Sequence, residues 1–87
     1  MGMDTVEIVL WAVEEFGVPM PDEEVGNIYT VGEFAKYIVE KVNSVKGSSI
    51  TYQDTLPKVI GILVKDYGIE RGKINTSSRF TQDLGLE

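Results

Sequence analysis

With 87 residues, 43% hydrophobic and 25% charged, the chain has material for one modest core and no second domain. Cysteine and histidine are both absent, which removes disulfides, thiolate metal sites and the commonest general base, so hydrolytic or zinc chemistry is not expected. The formal net charge of −6 repels nucleic acid phosphates, and apolar runs such as Ile8 to Val13 are far too short to span a membrane. With no basic-then-apolar layout at the start of the sequence, a cytoplasmic protein is expected.

The first predicted helix covers residues 4–16, where Val6, Val9, Leu10, Val13 and Phe16 recur at helical spacing and Asp4 is the expected N-cap. Gly17-Val18-Pro19 stops it, and Pro21-Asp22-Glu23-Glu24 opens a short helix near 21–26, with proline early and carboxylates at the positive end of the dipole. Thr30-Val31-Gly32-Glu33 has the pattern of a capping box. The helix it starts, over 30–42, places Val31, Phe34, Ala35, Ile38, Val39 and Val42 on one face, with Glu33, Lys36, Glu40 and Lys41 turned mostly toward water.

Asn43 to Ser49 is small, polar and aperiodic, the composition of a flexible connector. A third main helix over 54–67 carries Leu56, Val59, Ile60, Leu63, Val64 and Tyr67, and tolerates Pro57 only if it starts near Asp54 or kinks there. Residues 70–87 form a long polar loop that Ile74, Phe80, Leu84 and Leu86 can pin. Charge divides along the same line: residues 1–43 hold nine acidic and two basic side chains, residues 44–87 five and six. The acidic half suits a partner with a basic patch, or equally a solubilising surface.

The tail Phe80-Thr81-Gln82-Asp83-Leu84-Gly85-Leu86-Glu87 resembles the stretch of acyl carrier proteins that leads into their Asp-Ser-Leu modification motif, and the head Met3-Asp4-Thr5-Val6-Glu7 resembles the residues just after that serine. Glu14-Glu15-Phe16, Pro21-Asp22-Glu23-Glu24 and Tyr29-Thr30-Val31 resemble the family's second half, while Lys58-Val59-Ile60-Gly61 and Tyr67-Gly68-Ile69 resemble its first helix. The resemblance implies an all-α, acyl-carrier-like bundle of three main helices plus one short helix with circularly permuted connectivity. In that reading residues 1–43 are the family's C-terminal half, 44–50 a linker and 51–87 its N-terminal half, within one domain.

The resemblance also implies a carrier scaffold of fatty acid or polyketide synthesis, not an enzyme, whose family bears 4′-phosphopantetheine on a serine. Here that position falls on Gly2 or on the chain break, so no cofactor is expected on this form. Ser44, Ser48, Ser49, Ser77 and Ser78 lack the following Leu-Asp and are expected to be solvated. Glu7, Glu14 and Glu15 match the acidic positions with which carrier proteins meet basic patches of synthesis enzymes or of phosphopantetheinyl transferase. The expected assembly is a monomer with its ends close together, helix exchange across the linker being the alternative. An engineered permutant jointed at Gly47-Ser48-Ser49 is the preferred origin. Natural permutation and a piece spanning two tandem carrier domains also give this order, and an unloaded module docking through the acidic helix is the second functional reading.

Overall fold

The computed structural model describes residues 3–87, with side chains from Asp4 onward. Four helices succeed one another: α1 (Met3–Phe16), α2 (Asp22–Val25), α3 (Val31–Lys46) and α4 (Tyr52–Tyr67), then a 3₁₀ turn at Arg71–Lys73. The described residues form no strand beyond one isolated bridge, Thr30 to Arg79, so the all-α bundle of three main helices and one short one stands. Its centre is built by Ile8, Val9 and Ala12 of α1, Val25 of α2, Phe34, Ala35 and Ile38 of α3, and Val59 and Leu63 of α4.

Two helix starts differ from expectation. Asp4 lies inside the first turn of α1 instead of capping it, because its carboxylate is used elsewhere, accepting from the Glu87 amide at 3.3 Å. α4 begins two residues early, with Thr51 as N-cap accepting from the Asp54 amide at 3.2 Å. Pro57 therefore sits inside the helix, where its ring removes one ladder hydrogen bond on an exposed side.

The apolar phase of α1 also differs. Thr5, Ile8, Val9 and Ala12 face the core, while Val6 and Leu10, expected inside, are 43% and 55% exposed. Both sets have helical spacing, so periodicity alone does not choose between them. The small Ala12 lets neighbouring elements come close, and a buried Thr5 offers no hydropathy signal at all. On α4, Val64 is likewise 38% exposed and Thr55 is buried.

Three residues of the expected 44–50 connector are helical, because α3 runs on to Lys46 instead of ending at Val42. Ser44, Val45 and Lys46 are the last turn of α3, closed by Gly47 in the left-handed conformation at φ 65°. Asn43 then clasps the loop: its Oδ1 accepts from the Ile50 amide at 2.9 Å and from Ser48 Oγ at 3.1 Å, while its Nδ2 donates to the Ile50 carbonyl at 3.0 Å. α3 and α4 pack as neighbours on either side of this clasp.

Residues 74–87 serve as a cap for two helices at once. At α3 the expected capping box is present, with Thr30 Oγ1 accepting from the Glu33 amide at 3.1 Å and Glu33 Oε1 from the Thr30 amide at 3.0 Å. The remaining free N–H groups of that turn reach the C-terminal segment: Val31 donates to the Ser78 carbonyl at 3.0 Å and Gly32 to the Thr76 carbonyl at 2.9 Å. Ile74, Phe80 and Leu86 are buried as expected and hold the segment in place. Ser78, expected in solvent, is 4% exposed; its Oγ donates to the Lys73 carbonyl and accepts from the Asn75 amide.

The close approach at Gly32 gives a direct test of this cap. A Cβ there would stand 2.9 Å from the Thr76 carbonyl oxygen, a backbone atom with little room to move. Gly32→Ala is expected to lower stability by about 1–3 kcal/mol through overpacking, read as a shift of the urea midpoint of helical circular dichroism. An unchanged midpoint would mean that the segment does not press on α3.

Candidate functional site at the start of the first helix

At the start of α1 the main chain of Glu87 meets Asp4 and Thr5. The Thr5 amide donates to the Glu87 carbonyl at 2.9 Å, Thr5 Oγ1 lies 3.4 Å from the same oxygen, and the Glu87 amide donates to Asp4 Oδ2. One free donor of the helix is thus met by the last residue of the chain. Tyr67, at the end of α4, donates its hydroxyl to the Asp4 carbonyl at 3.3 Å, tying a third element to the same turn. Burial, followed by the nearby carboxylates of Glu7, Asp4 and Asp66, pushes that hydroxyl above its usual pKa. The surroundings of the junction are therefore acidic.

The approach to the junction is itself ordered. Asp83 Oδ2 accepts from the Arg79 amide at 2.8 Å and from Arg79 Nε at 3.2 Å, and these hydrogen bonds hold its carboxyl below the ordinary range. Gly85 turns the chain with φ 70°, and the Leu86 amide returns to the Phe80 carbonyl at 2.9 Å. Leu86 is then directed inward and Glu87 is delivered to α1.

Gly2, the position matched to a modified serine, lies outside the described residues. The hydroxyl nearest to it in sequence is that of Thr5, which is 4% exposed and turned toward Glu87. Ser44 and Ser49 are exposed, whereas Ser48 and Ser77 are fastened within their own loops, to Asn43 Oδ1 and Asn75 Oδ1.

The outer face of α1 carries Val6 and Leu10, one turn apart and exposed, with Glu7 and Glu14 exposed beside them. Glu15 is exposed too but faces α4, where its carboxylate lies 3.9 Å from Lys58 Nζ. Lys58 also stands 5.5 Å from the centroid of the Phe16 ring, supplying positive charge to a helix end that has no basic residue in its own last turn. Glu7 and Glu14 thus frame an apolar pair, while Glu15 belongs in part to the packing of α1 on α4. The apolar pair was hidden in the sequence because its spacing equals that of a core stripe.

No helix among the described residues is long and apolar enough to cross a membrane, and no group of three acidic side chains there is placed to hold a metal ion. No protein-family profile matches the chain, and no solved structure does. Among curated proteins, the acyl carrier protein of Sinorhizobium fredii is 50% identical over 36 residues, 41% of this chain and 46% of that protein. Over that stretch the chain is similar to acyl carrier proteins. The acyl carrier protein AcpP of Rhizobium meliloti gives the same figures, 50% over 36 residues. The chain spans 46% of the length of these curated relatives, a similarity that supports a carrier-type scaffold over part of its length.

Proposed function

We propose that this chain is an acyl carrier scaffold with its two halves in reversed order, which docks on acyl-chain synthesis enzymes or on phosphopantetheinyl transferase without being loaded. The observation that carries the reading is the meeting of Glu87 with Thr5 and Asp4. A carrier whose chain once ran from the Asp83-Leu84-Gly85 turn into α1 would place its last residue at that helix start, and the hydrogen bond from the Thr5 amide to the Glu87 carbonyl supports this reading. The names of the relatives support a carrier in place of a catalyst.

The family's 4′-phosphopantetheine arm does not fit the residues present. Its phosphodiester needs a serine oxygen, which Gly2 lacks, and the Thr5 hydroxyl beside the junction is buried. Docking has what it needs. Two exposed apolar side chains, Val6 and Leu10, can be covered by a partner, and Glu7 and Glu14 suit a basic rim around them.

Incubation with coenzyme A and a phosphopantetheinyl transferase is expected to add no mass to this chain. The chain should nonetheless compete with a loadable acyl carrier protein for the transferase, and Leu10→Asp should weaken that competition about tenfold, as removal of a central apolar anchor does. A gain of one arm, or a failure to compete, would overturn the reading.

A further inference from the structure

The four-residue helix α2 is too short to be stable alone and has no side-chain N-cap, yet it is fixed at two points. Val25, 1% exposed, enters the core. Glu24, on the outer side, is held by α3: Tyr37 donates its hydroxyl to Oε1 at 2.7 Å, and Lys41 Nζ reaches Oε1 at 2.9 Å and Oε2 at 3.1 Å. Lys41, expected in water, is 20% exposed because of this pair. Val25 and Ile28 form one wall of a small apolar cavity of about 10 Å³ whose other walls include Ile8, Phe34 and Phe80. It has room for about one water-sized sphere, and its lining is almost wholly apolar.

We propose that α2 is a strap over this cavity, latched by the Glu24 carboxylate to Tyr37 and Lys41, and that releasing the carboxylate opens residues 20–28 without unfolding α3 and α4. The groups facing Glu24 are Tyr37 and Lys41 from α3, with Asp22 and Glu23 on its own helix. Hydrogen bonding from Lys41 and then Tyr37 holds the Glu24 carboxyl below its usual value, whereas burial and Glu24 raise the Tyr37 hydroxyl. A lowered folded-state pKa means that the latch is fully made above the ordinary glutamate range and is lost as pH falls through the folded value. The strap is thus acid-released.

Amide hydrogen exchange of Val25, Gly26 and Ile28, which donate to Pro21, Asp22 and Val25, reads the opening. Glu24→Gln and Tyr37→Phe are each expected to speed these amides about fivefold at neutral pH, the size of a lost surface ion pair or hydrogen bond, while the central amides of α4 keep their rates. After correction for intrinsic exchange, lowering pH from about 7 to about 3 should raise opening in the parent chain more than in Glu24→Gln, where only Asp22 and Glu23 of the helix still titrate. Rates in Glu24→Gln within twofold of the parent would overturn the latch. Equal acceleration across α3 and α4, or the same pH dependence in both proteins, would show general loosening in place of a strap.

Discussion

Phe34→Ala is expected to lower the stability of this chain by about 3–5 kcal/mol, the usual cost of emptying a large aromatic site in a core. Phe34 is 2% exposed, and its ring meets that of Phe80 edge to face, with centroids 6.0 Å apart at 82°. It therefore joins α3 to the C-terminal segment that caps both α3 and α1. Loss of the ring removes this joint and enlarges the apolar cavity that both phenylalanines line. Since a domain of this size has a stability of roughly 5–10 kcal/mol, the variant should be close to unfolding at room temperature. Thermal denaturation followed by circular dichroism should show a fall of at least ~15 °C. A shift of a few degrees would mean that the segment is held by its hydrogen bonds and not by this packing.

Removal of residues 84–87 should cost about 2–4 kcal/mol and should act on α1 first. Leu86 is buried, and the Glu87 main chain provides the hydrogen bonds to Thr5 and Asp4. Glu87→Ala keeps that main chain and should leave stability within about 0.5 kcal/mol of the parent, as exposed side chains usually do. Urea denaturation of the two variants separates the contributions of backbone and side chain. Equal losses would mean that the Glu87 side chain carries the contact.

Where a helix draws its boundary from neighbours in sequence, the sequence was legible. The Thr30 to Glu33 capping box and the Gly17 stop lie where local chemistry puts them, as do Val31, Phe34, Ala35, Ile38 and Val42 in the core, although Val39, expected with them, is only half-buried. Boundaries set by remote partners were not legible. Asp4 looks like an N-cap until Glu87 is seen to use its carboxylate, and Asn43 looks like the start of a linker until its amide is seen to clasp Ile50. Ser78 reads as solvated because nothing local shows that Lys73 and Asn75 enclose it.

The candidate site followed the same rule. Glu7 and Glu14 are on the surface as their charge requires, but Val6 and Leu10 share the spacing of core residues and are separated from them only by how α1 is rotated in the bundle. With that rotation Thr5 and Ala12, two residues with weak hydropathy signals, are buried. The contact of Glu87 with Asp4 and Thr5 was legible only through the resemblance. Composition and periodicity carry no information about which loop approaches which helix.

Loading of a reordered chain tests the reversed order of the halves most directly. In it, residues 51–87 come first, a single serine is placed after Glu87, and residues 3–46 complete the protein, so that the peptide runs unbroken into α1 and the opening falls at the Asn43 clasp. Its rate of mass gain with coenzyme A and phosphopantetheinyl transferase is to be compared with that of Gly2→Ser in the present order. Both have the hydroxyl, but only in the reordered chain does an unbroken peptide from Glu87 lead through it into α1, and a displacement of about 1 Å can cost on the order of a hundredfold in rate. The expected result is one added arm on the reordered chain, at a rate far above that of Gly2→Ser. A reordered chain that keeps its helical circular dichroism and is loaded no faster than Gly2→Ser would contradict the reversed order.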